Sequence, residues 1–251
     1  MHLFYWFVRA VPNDRTNRKS SEKTQRMRDE YIPEILLSDD GSHTLRSPRY
    51  GVTYHSQFGA ATESAHVFIA AGLRYQALLR RDIAVLEAGF GTGLNALMTL
   101  VEAGRRGLNV NYTGLETQPL ALEQVRLLNY PERLGAETWR EVYLEMHRMP
   151  WREERVLSEG FVFCKKNENI EYYEQPEAYD LIYFDAFAPQ AQPELWTEEV
   201  MARMYRSLRP EGTLVTYCAK GDVRRAMKAV GFVVEKLQGP PGKREMIRAL
   251  R

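Results

Sequence analysis

At 251 residues, with 44% hydrophobic and 27% charged residues, the chain has room for one domain with an appendage and the make-up of a soluble globular protein. A net charge of +1 excludes a uniformly basic nucleic-acid binder, although a local basic patch is compatible with it. No apolar run approaches the ~18 residues of a membrane span. Cys164 and Cys218 lie far apart without CxxC or Cys/His spacing, so buried thiols are expected and no metal ligand set is predicted.

In chain order, residues 1–32 stand apart. A short apolar start is followed by a stretch rich in Arg, Lys, Ser, Thr and Asn that has too few aliphatic residues to offset its ordering entropy. A basic, flexible extension is expected. Its start lacks the basic flank and cleavage site of a signal peptide, Met27 offers an alternative first residue, and a cytoplasmic protein is expected. Residues 33–80 read as an N-terminal hairpin and helix packed on the domain that follows, residues 81–251. Asp39-Asp-Gly41-Ser is a turn signal between two extended stretches, and 61–78 carries Val67, Phe68, Ala71, Leu73 and Leu78 near helical spacing.

Residues 81–251 then alternate. Strands are predicted at 83–87, 110–116, 161–164, 179–184 and 212–217, with helices at 94–103, 119–128, 193–208 and 222–230. Strands at 232–237 and 245–250 close the chain around the turn Gly239-Pro-Pro-Gly242. The alternation implies a parallel sheet covered on both faces. A final hairpin makes one strand antiparallel, as in a methyltransferase sheet and unlike a dehydrogenase sheet.

The sharpest local signal is Glu87-Ala-Gly89-Phe-Gly91-Thr-Gly93-Leu-Asn95, between a strand and a helix. Glycines there let the backbone turn tightly against a ligand faced by helix N-terminal amides. A dinucleotide fingerprint requires Gly-x-Gly-x-x-Gly, and Leu94 stands where its third glycine belongs. The spacing instead resembles motif I of class I S-adenosylmethionine methyltransferases. That resemblance implies an α/β fold with a Rossmann-like seven-stranded sheet and a C-terminal antiparallel hairpin. It also implies that Glu87, Gly89, Gly91, Gly93 and Asn95 bind S-adenosyl-L-methionine, with Glu87 helping to hold its amino group. A glycine turn serving only packing stays open.

Glu116 ends the next strand, where a carboxylate can accept both ribose hydroxyls; capping of the following helix is the alternative. An adenine contact is expected after the third strand, at Asn167 or Glu168, with Glu168 the candidate. Asp185, in Tyr183-Phe-Asp185-Ala-Phe-Ala-Pro189, ends the fourth strand and points at the crevice outside the strand ends. It can orient an amine or accept its proton, or serve as a structural turn acid. Phe187 and Pro189 would wall a planar group.

Longer motifs narrow the reading. Tyr54-His-Ser-Gln-Phe-Gly-Ala-Ala-Thr-Glu-Ser64, the segment from Tyr183 through Trp196, Gly212-Thr-Leu-Val-Thr-Tyr217 onward to Arg225, and Gly239-Pro-Pro-Gly-Lys-Arg-Glu-Met246 closely resemble the MnmC-type tRNA methyltransferases. The likeness covers roughly residues 34–251. It implies N-methylation of 5-aminomethyl-(2-thio)uridine at the tRNA wobble position, giving the 5-methylaminomethyl form. It also implies Asp185 on the target-amine side and closure of the 54–64 segment over the cofactor. With no flavin fingerprint, no FAD is expected, and the chain looks like the stand-alone, MnmD-like form.

Charge adds a tRNA footprint: Lys220, Arg224, Lys243 and Arg244 gather at one end of the sheet. Phe187, Trp196 or Tyr217 could stack on a splayed base. Two rivals stay open. One is methyl or aminopropyl transfer to a small amine, which would call for more acids. The other is a non-catalytic RNA-binding module of the same fold, against which the joint presence of Glu87, the glycines, Glu116 and Asp185 argues.

Overall fold

A computed structural model describes residues 33–251, so the extension expected at 1–32 lies outside the described residues. Strands β1 (Glu34–Leu37) and β2 (His43–Arg46) pair antiparallel around the predicted turn. The same turn caps the next element, α1 (residues 60–76). Ser38 Oγ accepts from the Ala60 amide at 3.2 Å, Ser42 Oγ from Ala61 at 3.0 Å and Asp40 Oδ2 from Thr62 at 2.8 Å. Three amides that a helix start leaves without intrahelical acceptors are thus satisfied from another element.

The helix expected at 61–78 is present, but its middle differs. It is α-helical over Ala60–Ser64, π-helical over Ala65–Leu73 and α-helical again over Arg74–Gln76. A 3.6-residue pattern cannot signal that widening. Gly72 brings the helix directly onto the sheet, since a Cβ there would lie 3.0 Å from Val215 and 3.2 Å from Tyr183.

The main sheet holds β3 (Asp82–Ala88), β4 (Asn109–Leu115), β5 (Glu154–Ser158), β6 (Phe161–Lys166), β7 (Tyr179–Phe184), β8 (Leu208–Thr216), β9 (Val233–Gln238) and β10 (Glu245–Leu250). Their spatial order is β5-β6-β4-β3-β7-β8-β10-β9. From β6 to β8 the neighbours run parallel, and β10 is antiparallel to both β8 and β9, as the closing hairpin predicted. The eighth strand is the departure from seven: β5 adds antiparallel to the β6 edge. Its residues are exposed or half-buried, so it carries no apolar alternation to read.

The helices are α2 (Leu94–Arg106), α3 (Leu122–Arg126), α4 (Tyr130–Arg133), α5 (Arg140–Arg148), α6 (Glu198–Ser207) and α7 (Gly221–Ala229). The helix expected over 193–208 is divided. A 3-10 turn, Pro193–Trp196, gives way to extended Thr197, whose Oγ1 caps α6 through the Val200 amide.

Period-two alternation in the central strands builds two cores. Ile83, Val85, Leu181 and Tyr183 pack with Val67, Phe68, Leu97 and Leu100 on one face. Leu86, Ala88, Ile182 and Phe184 pack with Val200, Met204 and Met227 on the other. Burying each such aliphatic side chain contributes about 1.5–3 kcal/mol. By the same parity Glu87 and Asp185 project toward the face covered by α1 and α2.

Candidate active site

The site is assembled where β3 and β7 end side by side. Asp185 continues the pairing through its amide, which donates to the Ala88 carbonyl at 3.0 Å. Asn95, in the first turn of α2, joins the two strand-end acids. Its Nδ2 donates to Glu87 Oε1 at 2.9 Å and to Asp185 Oδ2 at 2.8 Å. Burial, and then the Asp185 charge, push the Glu87 carboxyl well above the usual range. Glu87 Oε2 and Asn95 Oδ1 are buried and have no hydrogen-bond partner among the described residues. Buried acceptors are rarely left so, and these two suit the ammonium group of a methionyl ligand.

The glycine turn gives the room such a ligand needs. Gly89 has φ +100, and a Cβ on it would lie 2.7 Å from the Asp185 carbonyl oxygen. Gly93 starts α2 in the left-handed region and packs against Phe90 and His147. The His147 imidazole contacts the Thr92 carbonyl at 3.1 Å, and burial lowers its pKa to about 3, so the ring is neutral and donates there. Gly91 faces the Tyr54 ring across a gap that a Cβ would narrow to 3.3 Å.

Glu116 lies just beyond β4. Its Oε2 accepts from the Gly91 amide at 2.8 Å and its Oε1 from Gln118 at 2.6 Å. Neither donor belongs to a helix, since α3 begins only at Leu122, so the capping alternative falls away. Both oxygens retain accepting capacity for a diol. Burial raises the Glu116 carboxyl.

Tyr54, Glu87, Gly89, Gly91, Asn95 and Glu116 line one open cleft together with Glu168, Asn169, Ile170, Asp185, Phe187 and Leu195, whereas the predicted cofactor residue Gly93 is not among the lining residues. Glu168, 3.3 Å from Arg152, is thus among the lining residues, whereas Asn167 and Pro189 are not. Sequence reading missed Asn169 and Ile170, which follow the expected adenine-side acid, and it missed Tyr50 and Gln192. Tyr50 and Tyr54 each place a ring 5.0 Å from Phe187, and Gln192 Nε2 donates to the Tyr50 hydroxyl at 2.8 Å. An aromatic wall thus joins the N-terminal segment to the loop after β7, a contact no local motif announces.

That loop is held rigidly. Trp196 Nε1 donates to the Phe187 carbonyl and the Tyr217 hydroxyl to the Ala186 carbonyl, both at 2.8 Å. Trp196 is buried, so it acts as a scaffold and not as a stacking surface. Burial, with the charge of Glu63, pushes Asp185 up to about 7, against the pull of Asn95 and Lys243.

The four cations divide. Lys220 and Arg244 are exposed and Arg224 is half-buried, all near the end of β8 and the β9–β10 turn. Lys243 departs from the expected phosphate contact: its ammonium ion-pairs with buried Glu63 and lies 3.9 Å over the Tyr217 ring.

A sequence profile described as S-adenosyl-L-methionine-dependent methyltransferase matches residues 133–251. The bifunctional protein MnmC of Burkholderia multivorans, named for tRNA 5-methylaminomethyl-2-thiouridine biosynthesis, is 31% identical over 236 residues, or 88% of this chain. Its namesake from Aromatoleum aromaticum is 34% identical over 226 residues, or 85% of the chain. The chain spans about a third of the length of these relatives, 35% and 34% respectively. Among solved structures, MNMC2 from Aquifex aeolicus superposes with a TM-score of 0.71 at 25% identity, covering 94% of this chain and 80% of the other. With the strand order, the glycine turn and the paired acids already in place, the chain is a class I S-adenosyl-L-methionine-dependent methyltransferase, similar over most of its length to one part of the MnmC proteins.

Proposed function

We propose that the chain transfers a methyl group to the exocyclic amine of 5-aminomethyl-(2-thio)uridine at the tRNA wobble position, forming 5-methylaminomethyl-(2-thio)uridine in the cytoplasm. The observation that carries this reading is the placement of Asp185. It is a carboxylate pushed up to about 7, in the same cleft as the cofactor acids and beside the aromatic wall of Phe187, Tyr50 and Tyr54. The match along 85–88% of the chain to proteins named for this nucleoside supports the substrate.

Bound S-adenosyl-L-methionine supplies an electrophilic methyl group on a sulfonium. The rest falls to the chain. Glu87 holds the ligand's ammonium, Glu116 accepts its ribose hydroxyls and Glu168 lies toward the base. An aminomethyl group is an ammonium ion at neutral pH and must shed a proton before its lone pair can attack. As a carboxylate Asp185 orients the ammonium by a charge-assisted hydrogen bond and then accepts its proton, which leaves the lone pair free to attack the methyl group. Phe187 and Tyr50 present apolar faces to a planar uracil ring, and the fixed 185–189 loop limits its slack. Lys220, Arg224 and Arg244 hold phosphates around it.

The test is methyl transfer from labelled S-adenosyl-L-methionine to tRNA from cells lacking this enzyme, followed by nucleoside analysis. Label in 5-methylaminomethyl-(2-thio)uridine is expected. Cofactor binding without label in tRNA would overturn the substrate and leave a small amine as the acceptor to seek.

A further inference from the structure

Glu63 and Lys243 are 180 residues apart, yet they meet, and the charges of both act on Asp185. Glu63 lies in the first turn of α1 and is only 5% exposed. Its Oε2 takes the Lys243 ammonium, and its Oε1 accepts from the Ser56 amide at 3.3 Å. The loop carrying Lys243 is wound tightly enough to reach inward. A Cβ on Gly242 would collide with the Phe58 ring, and His66 Nε2 lies 2.8 Å from the Gln238 carbonyl oxygen. Lys243 also covers the Tyr217 ring, whose hydroxyl fixes the carbonyl of the residue after Asp185. Three elements distant in sequence, α1, the β9–β10 loop and the end of β8, therefore meet at the Lys243 ammonium, and the last of them hydrogen-bonds the residue after Asp185.

We propose that Glu63 and Lys243 act together as a positioning pair for the methyl-transfer reaction, setting the balance of charge around Asp185 through an ammonium that Glu63 holds over the Tyr217 ring. The proposal rests on the assignment of Asp185 to the amine side. A buried ion pair adds little stability over apolar packing, so stability alone does not explain why this one stands at the site. Besides the Asn95 amide of α2, which hydrogen-bonds it, the titratable groups that Asp185 influences are the Glu87 carboxyl of β3 and the hydroxyls of Tyr112 in β4, Tyr130 in α4 and Tyr217 just after β8. None of these is a cation, and Lys243 supplies the positive charge that lowers Asp185.

The signs follow from the charges. Glu63→Gln removes an anion and frees the Lys243 ammonium to face Asp185, which lowers its midpoint. Lys243→Met leaves the Glu63 anion uncompensated and raises it. Each shift is expected to be about one pH unit or more. The double variant should return toward the wild-type value, and Lys243→Arg should retain it.

The experiment is a pH titration of carbon-13-labelled aspartate carboxyls in the full chain by NMR, with the Asp185 signal identified by its loss in Asp185→Asn. Cofactor binding, measured in parallel, reports folding of each variant. The acid limb of kcat/KM on tRNA should move in the same two directions. Opposite midpoint shifts in the two single variants support the pair. Midpoints that stay put or move together in folded variants would reduce it to a clasp between loop and helix. Because the titration needs no tRNA, it decides the proposal even if wild-type protein fails to methylate tRNA, which would instead overturn the substrate reading.

Discussion

At the scale of single residues, two carboxylates of similar surroundings are expected to carry different duties. Glu87 and Asp185 share the Asn95 amide and line the same cleft, but Glu87 ends β3 beside the glycine turn while Asp185 opens the loop that carries Phe187. Asp185→Asn keeps the shape and the hydrogen bonding but cannot take a proton. Its kcat should fall by roughly 10²- to 10⁴-fold, with the cofactor dissociation constant changed only a few-fold. Loss of cofactor binding on calorimetry would merge the two duties into one. The pH dependence has a definite sign: the working form is the carboxylate, so kcat/KM should rise as pH passes upward through about 7. Asp185, Glu87 and Glu116 were legible in the sequence because strand-end acids beside a glycine turn imply chemistry. Glu63 was not, because its neighbours in the sequence say nothing of Lys243.

At the scale of elements, the unit from β3 through the turn to α2 is the most local part of the site and the most readable. Gly89→Ala should test it. The added methyl would sit 2.7 Å from a backbone oxygen on a residue with φ +100, and such strain costs on the order of 1–3 kcal/mol. Thermal unfolding with and without S-adenosyl-L-methionine should show a lowered midpoint and no ligand-induced rise. A variant still stabilised by the ligand would place the cofactor elsewhere. Other elements were hidden for identifiable reasons. The edge strand β5 is half-solvated, and α5 is short with only Tyr143, Leu144 and Met146 buried. The split before α6 turns on Thr197, although Thr197-Glu198-Glu199 is itself a helix-start signal.

At the scale of the whole molecule, a chain of net charge +1 can bind an anionic polymer only by gathering its cations in one place. Lys220 and Arg244 are exposed at the end of the sheet where the cleft opens. Replacing both by Ala should weaken tRNA binding for all sequences and reduce the slope of log K against log salt by roughly one to two. An unchanged slope would remove them from the footprint. Lys243 is not part of that test, since its charge is already engaged by Glu63. By itself the sequence determined what local pattern and spacing carry: the alternating α/β order, the closing hairpin, the glycine turn and the acids that end three strands. These follow from nearest-neighbour geometry, in which a side chain's direction is set by its place in a strand or turn. Only the tertiary structure decided the rest. It set Asn95 between Glu87 and Asp185, Tyr50 and Tyr54 against Phe187, and Lys243 on Glu63. Each joins residues through sheet order and helix packing, and the distances between such residues in space bear no relation to their separation along the chain.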